Sequence, residues 1–136
     1  MNTAVTVLAL LVLTILAWRF WGPLVAPAPK REVPKGEATL YFFYTDWCGW
    51  SQKAMPEWEK LESALASTPV FGTTTVKLVR VNAEEDRATA DLYEVEAYPA
   101  IKLETSESLQ SFDKIPTEER LLQFLRSSLG KESTRL

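Results

Sequence analysis

Hydrophobic side chains fill the start of the chain almost without interruption, then return in short groups separated by polar residues. Between Ala4 and Trp21 the exceptions are Thr6, Thr14 and Arg19, and no charged side chain precedes Arg19. The stretch has no polar face, whereas a helix packed on a core keeps one toward solvent. As a helix it reaches about 27 Å at ~1.5 Å per residue, close to a bilayer core of about 30 Å. Trp18, Phe20 and Trp21 close it as interfacial aromatics do, Arg19 can snorkel between them, and Gly22-Pro23 stops it. Residues 1–21 therefore read as one transmembrane helix. A cleaved signal peptide competes with that reading, but a basic leading region is missing and Ala26-Pro27-Ala28 is the one nearby small-x-small site.

Residues 22–36, GPLVAPAPKREVPKG, hold four of the eight prolines and read as a semi-rigid basic linker. One domain, residues 37–136, follows. Residues 39–44, TLYFFY, are β-branched and aromatic without strict alternation, as in a central strand covered on both faces. In 51–66, Ala54, Met55, Trp58, Leu61 and Leu65 stand at helical spacing, with Pro56 expected to kink the helix. Residues 68–75 read as a loop and 76–82 as a second buried strand. A short helix over 86–93 carries Ala88 and Leu92 four apart. Residues 100–104 alternate, with Ile101 and Leu103 on one face, and 109–112 can pair with them as a hairpin. Thr117 can cap the last helix, Glu118 and Glu119 occupy its first turn, and Gly130 ends it. Leu121, Leu122, Leu125 and Leu129 form its inner stripe. The order βαβαββα predicts an α/β fold, a mixed central sheet with helices on both faces.

Composition removes several chemistries. The chain has 136 residues, no histidine and one cysteine, which excludes Cys–His and Ser-His-Asp catalysis, His-based zinc sites and an internal disulfide. Its five scattered glycines cannot form a phosphate-cradling loop, so no nucleotide is expected. The net charge of −3 is unevenly spread: the first 36 residues carry Arg19, Lys30, Arg31 and Lys35 against Glu32 alone, which leaves the domain acidic. An acidic domain repels phosphate backbones, so no nucleic-acid partner is expected, while a basic flank beside an apolar segment suits a membrane surface. Those basic residues lie on the C-terminal side of the apolar stretch, which places the domain in the cytoplasm by the positive-inside rule. The acidic tracts 82–86 and 94–96 read as solvated faces, and no metal site is expected.

The chemistry centres on Thr45-Asp46-Trp47-Cys48-Gly49-Trp50-Ser51, where the first strand meets a helix. A cysteine at a helix N-terminus faces unpaired N–H groups and the positive end of the dipole. That favours the thiolate, which is the nucleophile. The bland alternative is a structural core cysteine. A polar strand-to-helix loop argues against burial.

The aromatic strand, Trp47-Cys48-Gly49-x and a helix with Pro56 eight residues beyond the cysteine resemble the thioredoxin family, protein disulfide isomerase domains included. Tyr93-Glu94-Val95-Glu96-Ala97-Tyr98-Pro99-Ala100-Ile101 resembles the family's bend into a cis-proline. The resemblance covers about residues 38–130 and implies a minimal thioredoxin-like fold. It implies Cys48 as the attacking thiol, framed by Trp47, Gly49 and Trp50. It also implies that the Tyr98 backbone and Pro99 bind the client polypeptide. No cofactor is implied.

Two departures qualify the likeness. The family's CxxC is here Cys48-Gly49-Trp50-Ser51, so Ser51 can donate a hydrogen bond to the Cys48 thiolate but cannot form a disulfide. The family's buried acid six positions before the cysteine is here Phe42. Expected partners are therefore protein thiols and disulfides, exchanged through mixed disulfides that an external thiol such as glutathione resolves. CGWS also resembles the CGFS of cluster-binding monothiol glutaredoxins, but their Thr-Val before the cis-proline is here Ala97-Tyr98 and their Gly-Gly-Asp turn is missing. A redox-inactive thioredoxin-fold interaction module tethered to a membrane is the remaining alternative. Membrane-anchored relatives often face an oxidising compartment, which sets family habit against the charge rule.

Overall fold

The computed structural model describes residues 2–21, 33–65 and 69–133, without the side chains of 17–21 and 132–133. The chain divides into two compact units, Met1–Arg31 and Glu32–Leu136. The first holds helix α1, Thr3–Trp21. Its described side chains are exposed on every side, with Val5, Leu8, Leu10 and Ile15 all more than half exposed. Among the described residues no helix is long and apolar enough to cross a membrane. The part of α1 with described side chains ends at Leu16, about 21 Å from its start at ~1.5 Å per residue and short of a bilayer core. The transmembrane helix expected over 1–21 is to that extent not obtained. The side chains of Trp18, Arg19, Phe20 and Trp21, and residues 22–32 of the linker, lie outside the described residues.

The second unit is built on β1, Glu37–Tyr44. It pairs in parallel with β3, Thr74–Asn82, from Glu37↔Thr75 to Tyr44↔Asn82. On its other side it pairs antiparallel with β4, Ala100–Thr105, where Phe43 meets Ala100. β5, Leu109–Phe112, extends the sheet from β4 as the expected hairpin. Leu40 and Phe42 point into one core with Trp58 and Leu61 of α2, Gly49–Leu65, and Leu121 and Leu125 of α4, Glu118–Leu129. Phe42 stacks on Trp58, ring centroids 5.1 Å apart. Tyr41 and Phe43 point the other way, onto Ala90 and Tyr93 beside α3, Arg87–Leu92. Helices thus cover both faces, and the run of unbroken apolar residues in β1 follows from that. α2 continues through Pro56. Thr117 caps α4, accepting from the Arg120 N–H, with Glu118 and Glu119 in the first turn and Gly130 at the end.

Two expectations need correction. Of the expected loop 68–75, residue 68 lies outside the described residues and the rest is not simply a loop: β2, Val70–Phe71, turns at Gly72 into β3, which begins at Thr74. β2 also pairs with a last short strand β6, Glu132–Ser133, giving the order β5-β4-β1-β3-β2-β6. Phe71, fully buried, anchors the hairpin, and β-branched Thr74 and Thr75 suit its return strand. The inner face of α3 is not Ala88 and Leu92, which are exposed; Ala90 and the capping Tyr93 are buried instead. A helix of under two turns docks by where Tyr41 and Phe43 offer a surface, and two apolar residues at helical spacing do not determine that.

Candidate active site

Strand directions bring four connections to one end of the sheet. β1 and β3 run in parallel and finish there, at Tyr44 and Asn82. β4 starts there at Ala100, opposite Phe43, and β5 ends there at Phe112, opposite Ile101. The segments after Tyr44, before Ala100 and after Phe112 therefore converge. The first carries Cys48, the second Tyr98-Pro99, the third Asp113 to Pro116.

The Cys48 loop is tied down from below. The Asp46 N–H donates to Glu84 Oε2 at 3.1 Å, Asn82 Nδ2 donates to Asp46 Oδ2 at 3.2 Å, and Gln52 Nε2 donates to the Asp46 carbonyl at 2.7 Å. Cys48 then stands immediately before α2, its carbonyl accepting from the Gln52 N–H at 3.0 Å. Its thiol is partly exposed and free of any disulfide, as the polar loop suggested. The Tyr98–Pro99 peptide is cis, and the Cys48 Sγ–H donates to the Tyr98 carbonyl at 3.4 Å. The two motifs that the sequence holds fifty positions apart are thus in contact.

Ser51 lies one helical turn on and is 1% exposed. Its Oγ accepts from the Thr45 N–H at 3.4 Å. The Cys48 thiol titrates below its ordinary range: the Ser51 N–H is the largest cause, partial burial opposes it, and the Ser51 hydroxyl and the Trp50 N–H add to it. These are donors at a helix N-terminus turned on the sulfur, which stabilise the thiolate over the thiol. Ser51 thus stands one turn beyond Cys48, where its N–H and hydroxyl favour the thiolate. Phe42 is buried in apolar contact with Trp58, so no carboxylate stands beneath the site at that position.

The other framing residues are surface. Trp47 and Trp50 are 69% and 65% exposed. Trp47 meets Tyr98 edge-on, centroids 6.5 Å apart, and Lys53 Nζ sits 4.8 Å from the centre of the Trp50 ring. A Cβ at Gly49 would meet nothing within 4 Å, so space does not require glycine there. Beside Trp50 a groove of about 370 Å³ runs along Tyr98 and Pro99 to a far wall of Asp113, Lys114, Ile115 and Pro116. Sequence reasoning missed Lys53 and that wall. The β4–β5 register brings residues 113–116 into one groove with Trp50 and Pro99, and no local motif marks them.

The fold, the cis-proline against a cysteine at a helix start, and the order of the motifs define a thioredoxin-like domain. The chain belongs to the thioredoxin family, whose profile, described as Thioredoxin, matches residues 28–127. It is similar to Protein disulfide isomerase-like 1-1 of Arabidopsis thaliana, 31% identical over 108 residues that cover 76% of this chain and 21% of that protein. It is also similar to Probable protein disulfide-isomerase A6 of Medicago sativa, 29% identical over 103 residues, 74% of this chain and 27% of that one. The chain therefore spans about a quarter of the length of these curated relatives. In fold it matches the first thioredoxin domain of mouse Protein disulfide-isomerase A4, with a TM-score of 0.57 at 24% identity, over 73% of this chain and 68% of that one.

Proposed function

We propose that this chain is a membrane-anchored monothiol member of the family that exchanges disulfides with client proteins through Cys48. The observation that carries the reading is the Cys48 sulfur, held against the Tyr98 carbonyl with Ser51, not a second cysteine, one turn along α2. In the first step the Cys48 thiolate attacks a client disulfide. One client sulfur becomes bonded to Cys48 and the other leaves as a thiolate. Ser51 cannot attack this mixed disulfide, so an external thiolate such as glutathione takes the client sulfur and releases the Cys48 thiolate. A second glutathione then frees the client and leaves oxidised glutathione, so both electrons come from outside the chain. A thiolate of the same client can play the external part, and the result is then isomerisation.

The anchor proposed at residues 1–21 rests on the sequence, in which α1, Thr3–Trp21, carries no charged side chain before Arg19. The positive-inside argument assigns the domain to the cytoplasmic side. Disulfide isomerase names among the relatives support client proteins as substrates. The test is insulin reduction by the full chain beside a Ser51→Cys variant. The wild-type chain is expected to accelerate reduction above the glutathione background and to do nothing catalytic without a small thiol, whereas the variant no longer depends on glutathione in particular. Reduction by the wild-type chain no faster than the glutathione background, or a dependence on glutathione identical to that of Ser51→Cys, overturns the reading.

A further inference from the structure

The groove beside the thiol differs in charge from the rest of the domain. The chain carries a net −3, yet the charged residues lining the groove are Lys53 and Lys114 against Asp113 alone. Neither lysine forms an ion pair within the described residues. Lys53 is instead laid over the Trp50 ring, a contact that holds its position while leaving its N–H donors open to a carboxylate. The same groove carries apolar surface that a folded domain usually hides, with Trp50 65% and Ile115 67% exposed.

We propose that this groove selects extended client segments bearing an acidic side chain within a few residues of the reactive cysteine, the carboxylate meeting Lys53 and Lys114. The inference rests on the thiol-exchange reading for the cysteine and deepens it by naming the client's chemistry. A segment seated over Trp50 and Ile115 removes water from the lysines, which strengthens their attraction to a carboxylate. A client with a basic residue in that place faces two like charges and one Asp113. Each exposed ion pair of this kind is weak, so two amount to roughly a five- to ten-fold preference in affinity.

The test separates docking from chemistry. The full chain carrying Cys48→Ala, in a non-ionic detergent, is titrated with three peptides whose client cysteine is replaced by serine. They differ only in Glu, Gln or Lys two positions beyond it. The glutamate peptide is expected to bind tightest and the lysine peptide weakest by roughly ten-fold at low salt, the gap closing as salt screens it. Lys53→Gln with Lys114→Gln removes the preference and Lys53→Glu with Lys114→Glu reverses it. Equal affinities, tighter binding of the lysine peptide, no binding of any peptide, or self-association that shuts peptides out each overturn the inference; the last assigns the groove to a second copy. Exchange by the cysteine-bearing chain is measured separately, so loss of the exchange reading shows as failed chemistry with docking intact.

Discussion

At the scale of single residues, the monothiol role proposed for Cys48 turns on Ser51. Its backbone N–H is the largest influence lowering the Cys48 titration, and its hydroxyl is a further, smaller one. The two can be separated, because Ser51→Ala keeps the N–H and removes the hydroxyl. The rate of Cys48 alkylation by iodoacetamide as a function of pH is expected to shift to higher pH in this variant. It should remain below the profile of an ordinary cysteine, since the N–H groups persist. An unchanged profile would show that the hydroxyl does not act on the sulfur. Cys48 was legible as a cysteine at a strand-to-helix junction, while Ser51 and Pro99 were singled out only through the resemblance to the thioredoxin family; the structure brings Cys48 and the cis Tyr98–Pro99 peptide into contact. Lys53 and Lys114 were not legible, because their importance comes from sharing a groove, and that depends on pairings far along the chain.

Two contacts between elements carry predictions. Gly72 has φ +60°, and a Cβ there would stand 2.7 Å from the Leu129 carbonyl at the end of α4. Gly72→Ala is therefore expected to cost about 2 kcal/mol or more, from left-handed strain and the clash together. Chemical denaturation measures this, and a loss under half that value contradicts the close approach. The second contact is Glu57 of α2, whose carboxylate pairs with Lys60 and accepts the Glu118 N–H at 3.0 Å at the start of α4. Its titration is lowered first by the Lys60 hydrogen bond and then by the Glu118 N–H. A folded-state value below the unfolded one means the stabilisation is present at neutral pH and lost as pH falls through the folded value. The melting temperature of wild type is expected to exceed that of Glu57→Gln near neutrality, with the difference closing in acid. A difference constant across pH would remove the charge from the explanation. The β1 and α4 elements were legible because long apolar runs and a capped amphipathic helix carry their own signal. β2 and β6, two residues each, were not: their pairing follows from the turn at Gly72 and the packing of Phe71, which no periodicity of that length expresses.

At the scale of the whole molecule, the proposed anchor at residues 1–21 carries its own predictions. Carbonate extraction should leave the full chain in the membrane pellet, and deletion of residues 1–21 should release it. Added protease should digest the domain in sealed vesicles whose outer face is cytoplasmic. Protection in such vesicles reverses the topology and places Cys48 where client disulfides are stable, rather than transient. If Cys48 forms a covalent intermediate that it cannot resolve, that intermediate can be trapped. The full chain is incubated with an oxidised client protein, quenched with acid, and resolved on a non-reducing gel with and without glutathione. A mixed disulfide through Cys48, drained only by the client's own freed thiolate when glutathione is left out, is expected to outlast the same adduct with glutathione present, to be absent in Cys48→Ala, and to outlast that of Ser51→Cys. Failure of the wild-type chain to form that adduct, or its decay without any external thiol as fast as in Ser51→Cys, would contradict the account.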